Sequence, residues 1–215
     1  MITPNFGGKM RLRFLLLLAA FSATQAVMFA QEAPAPDTGL AATAAASVYQ
    51  MFEPGDNLLS LSAGASFGLG FYNPLGSKVE PAHLKPGILI GLSYLYFIDN
   101  SWASGGELSG IFFTTLAERS FFLMPIAAKA MYAIALDPFF ITPTLSLGVA
   151  VTALNKTNHI DPYIGLGSGF SWRPNSEVSY SIKLGVNAIP QFYADTAQNR
   201  VGFFLDTAIS ATYHL

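Results

Sequence analysis

The last sixteen residues of the chain, 200–215, alternate between two kinds of residue up to the C-terminus. One set is mainly apolar: Val201, Phe203, Leu205, Thr207, Ile209, Ala211, Tyr213 and Leu215. The other is mostly small or polar: Gly202, Phe204, Asp206, Ala208, Ser210, Thr212 and His214. Because successive side chains of a strand point to opposite faces, this period of two predicts a long β-strand with one apolar face.

Seven earlier segments show the same alternation. We predict strands over 57–72, 87–98, 102–116, 121–135, 139–153, 161–172 and 177–189. In the first of these, Phe71 falls on the apolar face with the other odd-numbered residues. The segment 102–116 is the least regular, and its facing stays open. With the C-terminal strand the total is eight, and an even number returns both ends of the chain to the same side of a membrane.

The connections between the predicted strands differ in length in a regular way. Those after the second, fourth and sixth strands are compact turns at 99–101, 136–138 and 173–176, whereas those after the first and seventh, 73–86 and 190–199, are long. The connections after the third and fifth strands are intermediate. Outer-membrane barrels alternate short periplasmic turns with longer extracellular loops, so the pattern favours one orientation.

Composition decides which face of the sheet points outward. Only 11% of the residues are charged and 52% are hydrophobic, whereas a soluble protein carries about 25% charged residues. The less apolar face has few ionisable groups, mainly Glu107, Lys129, Lys183, Asp206 and His214. Such a face suits the crowded interior of an eight-stranded barrel, so the apolar face is predicted to contact lipid. The net charge of −2 argues against a nucleic-acid partner.

A helical membrane protein is the main structural alternative. The apolar runs 121–136 and 139–154 are each only about sixteen residues long, and a spanning helix needs about twenty. Pro125 and Pro143 interrupt these runs. They also lie inside predicted strands, where a proline removes a ladder donor, so a bulge or a strand end is expected near each.

The N-terminus has the layout of a secretory signal peptide. Lys9, Arg11 and Arg13 precede the apolar run 14–21 and a series of small residues, with possible cleavage after Ala26 or Ala30. A membrane anchor is the alternative, although the apolar core is short for a span. The chain has no cysteine, which excludes disulfides and a lipidated cysteine. We therefore predict a signal peptide (1–30), a Pro- and Ala-rich periplasmic lead-in (31–56) and a barrel domain (57–215).

Two groups of inward-facing residues are candidates for function. The first consists of charged residues predicted to form ion pairs, Glu107 with Lys129 and Lys183 with Asp206, because an unpaired charge inside a narrow barrel is costly. The second is an apolar group near the ends of the strands that lead into the longer loops. This group could simply fill the barrel mouth or could bind a small apolar ligand: Leu89, Ile111, Phe113, Leu123, Tyr163, Ile189 and Phe204.

A third group lies on the apolar face near the short turns and consists of aromatic residues. Aromatic rings favour the membrane interface, so they are predicted to form a periplasmic girdle: Tyr96, Trp102, Tyr132, Phe139, Trp172, Tyr180 and Tyr213. No residue pattern indicates a catalytic site, a metal site or a cofactor. The glycines of the segment 165–169 have no following helix, so the context of a nucleotide-binding loop is missing.

These features together predict an all-β fold, an eight-stranded antiparallel transmembrane up-and-down β-barrel. The region 57–215 resembles the small eight-stranded outer-membrane proteins, which include the OmpW, OmpX and OmpA-barrel families. Resemblance to the OmpW type implies a narrow channel or binding site for small hydrophobic molecules; resemblance to the OmpX type implies a structural or surface-interaction protein that acts through its extracellular loops. Either implies outer-membrane lipid and the barrel-assembly machinery as partners and no enzymatic activity.

Overall fold

The computed structural model describes residues 51–76, 78–136, 138–154, 157–193 and 198–215. The predicted signal peptide and residues 31–50 of the predicted lead-in lie outside this part of the chain. Among the described residues, no helix is both long and apolar enough to cross a membrane.

The described residues form ten strands, eight of which close into a barrel. Each barrel strand pairs antiparallel with the next along the chain, and β10 pairs with β1 to complete the ring, while β2 pairs with the end of β1 and β6 with the start of β7. This confirms the predicted fold class. The strands are β1 Asn57–Asn73, β2 Lys78–Glu80, β3 Gly87–Phe97, β4 Trp102–Thr114, β5 Ser120–Tyr132, β6 Ile134–Leu136, β7 Phe139–Leu154, β8 Thr157–Trp172, β9 Val178–Gln191 and β10 Arg200–His214.

The apolar face points out of the barrel and the less apolar face points into it. Strand β3 alternates between buried and exposed residues along its whole length; Leu89, for example, is 6% exposed and Ile88 is 65% exposed. In β4, the strand of uncertain facing, Ala103 and Ile111 point inward and Phe112 outward. The large exposed aliphatic side chains form a surface that hydrocarbon solvates and water does not.

A bulge in β1 corrects the predicted position of Phe71. The register with β10 shifts between Gly68 and Gly70, so Phe71 lies opposite the inward-facing Gly202 rather than on the outer face. Gly70 has φ +155°, and a Cβ there would lie 2.8 Å from the Glu80 carbonyl oxygen. An extra residue in one strand reverses the side-chain alternation beyond it, which the simple period of two could not predict.

The two prolines within predicted strands lie where the ladder is interrupted. Between β4 and β5 the pairing omits Met124 and Pro125, and it resumes in the same register. Between β7 and β5 the pairing stops at Thr144, and it resumes with β6 at Ile141, so that Pro143 has no partner on that side. A missing N–H is therefore tolerated without a change of register.

The connections divide the barrel into two ends. The short-turn end contains the turns 98–101 and 173–177, the connection from β6 to β7 and the C-terminus. In the first of these turns Asp99 Oδ1 accepts hydrogen bonds from the Ser101 and Trp102 amides, both at 2.7 Å. The long-loop end contains the β1–β3 and β9–β10 connections. One connection at this end is shorter than predicted, because β8 begins at Thr157 and only residues 155–156 separate it from β7.

Neighbouring glycines in β4 test the packing of the sheet. A methyl group at Gly105 would overlap the Tyr94 carbonyl oxygen, whereas at Gly106 the nearest atom is the Ala127 carbonyl oxygen at 3.8 Å. We expect Gly105→Ala to lower the free energy of unfolding by about 1–3 kcal/mol through overpacking. Gly106→Ala should change it by less than about 1 kcal/mol. Urea unfolding of the refolded barrel, followed by tryptophan fluorescence, would measure both; equal effects would contradict this packing.

Candidate functional site

The seven predicted apolar residues of the long-loop half lie in one cluster. Together with Ala127 and Ala150 they form a continuous group of buried side chains, here called the long-loop cluster. None of the nine is more than 7% exposed, and the rings of Phe113 and Phe204 lie 5.6 Å apart. The cluster is close-packed, so it fills the lumen at this level rather than lining an open pocket.

One of the two expected ion pairs lies next to the long-loop cluster, on the side that faces the short-turn end. Lys129 Nζ is 2.5 Å from Glu107 Oε2, with the side chains 11% and 13% exposed respectively. In the β4–β5 ladder Lys129 is level with Gly105 and Glu107 with Ala127, so the two side chains meet diagonally across the strands. Their burial means that each charge depends on the other for compensation.

The second expected pair does not form among the described residues. Lys183 lies level with Ala208, two positions along β10 from Asp206. Asp206 Oδ2 instead accepts a hydrogen bond from Asn187 Nδ2 at 2.6 Å, and the Tyr163 hydroxyl donates to Asn187 Oδ1 at 2.8 Å. The side-chain amide therefore takes the place of the ammonium group that we expected beside this carboxylate.

A polar cavity of about 120 Å³ occupies the middle of the lumen. Glu107, Lys129, Lys183 and Asp206 all line it, and Lys183 has no hydrogen-bond or ion-pair partner in the described part of the chain. Many of the other lining side chains carry hydroxyl groups, for example Ser60, Ser93, Thr142, Ser146, Ser181 and Thr212. Such a cavity has room for several water molecules.

A second apolar cluster closes the short-turn end. Its central residue, Phe52, was not among the candidate residues predicted from the sequence. Phe52, from the predicted lead-in, is 1% exposed. Its neighbour Met51 is also buried, and no strand periodicity marks either residue. We call this group the short-turn cluster: Met51, Phe52, Leu58, Leu95, Phe97, Ala103, Met131, Ala133 and Phe140.

Several aromatic and cationic contacts hold Phe52. Its ring stacks on Phe97 at 4.3 Å between ring centres and meets the edge of Phe140 at 5.3 Å. On its other side the His214 ring lies parallel at 5.8 Å. The Arg173 guanidinium lies 5.5 Å from the centre of the Phe52 ring and also donates to the Met51 carbonyl oxygen.

The predicted aromatic girdle residues all lie on the outer face near the short-turn end. Each is more than one-third exposed, and the ladder places several side by side, with Trp102 opposite Tyr132 and Trp172 opposite both Phe139 and Tyr180. The rings of Trp102 and Tyr132 lie 5.0 Å apart. This arrangement suits a membrane interface, where ring bodies are buried and polar edges remain hydrated.

The buried ion pair can be tested by a double-mutant cycle. Glu107→Gln or Lys129→Met alone should lower the free energy of unfolding by about 3–5 kcal/mol, because the remaining charge is left without compensation. The double variant Glu107→Gln/Lys129→Met should lose less than the sum of the two single losses. Urea unfolding in lipid vesicles would measure the three values, and strict additivity would exclude a direct interaction.

Comparisons with known proteins support the fold. A protein-family model matches residues 37–213, and no curated protein matches the sequence. The crystal structure of Neisserial surface protein A (NspA) superposes with a TM-score of 0.51 at 17% identity, covering 74% of this chain and 96% of NspA. The outer membrane protein OprG from Pseudomonas aeruginosa gives a TM-score of 0.47 at 11% identity, with coverage of 77% and 98%. Ail, the attachment invasion locus protein of Yersinia pestis, gives 0.44 at 16% identity, with coverage of 76% and 100%.

The closed antiparallel sheet of eight barrel strands agrees with the superposition on NspA. We conclude that the chain has the fold of the small eight-stranded outer-membrane β-barrels.

Proposed function

We propose that the protein is an integral outer-membrane barrel that presents an interaction surface at its long-loop end and does not serve as an open channel. The observation that carries this proposal is the filling of the lumen at two levels. The long-loop cluster fills one half with side chains from seven barrel strands, and the short-turn cluster closes the other end. A solute that crosses this barrel would have to displace close-packed side chains at both levels.

The structure of the β1–β2 hairpin at the long-loop end also supports the proposed interaction surface. Strand β2 extends the β1 hairpin, and Asn73 Oδ1 orders the turn by accepting hydrogen bonds from the Leu75 and Gly76 amides at 3.0 and 3.3 Å. Leu75 and Val79 in this hairpin are 69% and 62% exposed, and Phe192 beside the β9–β10 connection is 67% exposed. Contiguous exposed apolar side chains mark protein interaction sites, and Leu75 and Val79 lie in the same hairpin.

The proposed partner surface can be tested by removing these three apolar side chains. In cells that display the protein, we expect Leu75→Ser/Val79→Ser/Phe192→Ser to reduce adhesion to cultured cells at least tenfold, because the apolar contact area is lost. Leu136→Ser is the matched control, since Leu136 is 49% exposed at the short-turn end and should leave adhesion unchanged. Heat-dependent mobility on a gel would verify folding. Adhesion that matches cells without the protein, or that survives the triple substitution, would refute the proposal.

The long-loop cluster supports a second candidate function, the binding of small hydrophobic molecules. Its seven predicted residues converge from six strands into an apolar interior, and a ligand would enter by separating the aromatic side chains at its mouth. Among these, Phe204 contacts both Phe113 and Phe71, with ring centres 5.6 and 6.4 Å apart.

Enlarging one side chain of the long-loop cluster tests whether small hydrophobic molecules bind there. If small apolar molecules bind there, Phe204→Trp should weaken saturable binding of an apolar fluorescent probe at least tenfold by filling the space that the ligand needs. Phe203→Trp, on the outer face of the same strand, is the control and should bind as the unsubstituted protein does. Failure of the purified protein to bind any apolar probe would exclude this function.

A further inference from the structure

The floor of the central cavity consists of barrel-wall side chains that pack on two residues from outside the barrel wall. Four residues that line the cavity, Leu58, Leu95, Met131 and Phe140, also pack in the short-turn cluster with Met51 and Phe52. Because Phe52 contacts Phe140 directly and is almost fully buried, it separates the cavity from the space beyond the short-turn end. The cavity is therefore closed on that side by a segment that precedes the first strand.

The two closures of the cavity are built differently. The side chains of the long-loop cluster belong to barrel strands that are paired on both sides, so they cannot leave without opening the sheet. Phe52 belongs to no strand. Met51 is held by the Arg173 hydrogen bond to its carbonyl oxygen, and Phe52 is held by ring contacts. Ring and cation–π contacts of this kind are individually weak and are broken more easily than the continuous pairing of a barrel strand.

The backbone next to Phe52 provides a place for the segment to move. Gly55 has φ +103°, and no atom lies within 4 Å of the position that its Cβ would take. Glu53, Pro54 and Gly55 are exposed. Beyond this point the Gly55 amide donates to the Phe97 carbonyl oxygen at 3.0 Å, and the Phe97 amide donates to the Asp56 carbonyl oxygen at 2.9 Å. The Glu53 amide also donates to Asp56 Oδ2 at 2.9 Å, and the Asp56 amide donates to the Glu53 carbonyl oxygen at 3.1 Å. The chain is thus fixed to the barrel from Glu53 onward, and a pivot for Met51 and Phe52 lies between Phe52 and Glu53.

We infer that the short-turn end of the barrel is a docking site for the chain's own residues 51 and 52, and that their release opens the polar cavity to the adjoining compartment. In the predicted orientation this compartment is the periplasm. The lining hydroxyl groups and the Lys183 side chain, which has no ion-pair partner among the described residues, provide hydrogen-bonding groups for water and for small polar or anionic solutes. The barrel would then enclose a blind chamber that exchanges its contents on one side only.

Chemical labelling tests this inference, because the chain contains no cysteine. Ser181→Cys places a single thiol in the cavity, at a side chain that is 8% exposed. The refolded full chain is treated with a small methanethiosulfonate reagent in detergent micelles, and labelling is followed by mass spectrometry. We expect Ser181→Cys/Phe52→Ala to be labelled at least tenfold faster than Ser181→Cys alone, because the floor of the cavity has been removed.

A second variant leaves the Phe52 side chain in place. Ser181→Cys/Arg173→Gln removes the guanidinium that contacts both Met51 and Phe52, and we expect at least threefold faster labelling. Ser181→Cys/Phe139→Ala, with the second change on the outer face beside Phe140, is the control and should be labelled at the same rate as Ser181→Cys alone. Equal rates with and without Phe52, no increase in the Arg173 variant, or an equal increase in the Phe139 control would overturn the inference. These readouts are independent of adhesion at the long-loop end.

Discussion

The structure depends on the pairing of its first and last strands. In hydrocarbon every backbone N–H and C=O group needs a partner within the protein, and an open sheet edge would leave a row of them unsatisfied. Strands β1 and β10 pair along almost their whole length, and the Leu215 amide donates to the Asn57 carbonyl oxygen at 2.8 Å beyond the end of the ladder. The apolar outer face can contact lipid only because this seam is closed.

Closure of the sheet into a barrel also explains which residue types line its interior. Eight strands enclose a narrow space, and glycine, serine and threonine fill most of the inner face at the level of the cavity. Most of the large apolar side chains in the lumen lie towards its two ends, where they form the long-loop cluster and the short-turn cluster. The charged residues lie between the clusters, where polar partners such as Asn187 are available. The lumen is thus layered along the barrel axis.

Much of this arrangement follows from the alternation of residue types. The period of two predicts the eight strands, their facing and the convergence of inward residues such as Leu123 and Phe204, because strand geometry leaves little choice once the sheet closes. The Lys129–Glu107 contact is a consequence of facing and depth on adjacent strands. The arrangement of Lys183 was not predictable in the same way, because it depends on a register offset of two residues and on a competing amide.

Structural features that do not follow from the alternation of residue types could not be predicted from the sequence. The bulge that turns Phe71 inward depends on the positive φ of Gly70, and several other glycines in the chain show no such effect. Phe52 follows an alanine-rich segment and precedes the first alternating residues, so nothing in the local pattern indicates that its ring is buried. Its position is determined by contacts with Phe97, Phe140 and His214, which come from distant parts of the chain.

The stack between Phe52 and His214 has a consequence for the order of folding. It joins a residue that precedes the first strand to a residue at the end of the last strand. A contact between such distant positions cannot form until the intervening chain has been arranged, since loop closure over that length costs entropy first. The stack of Phe52 on His214 can therefore form only when β10 lies beside β1, so this contact is a marker of the closed barrel.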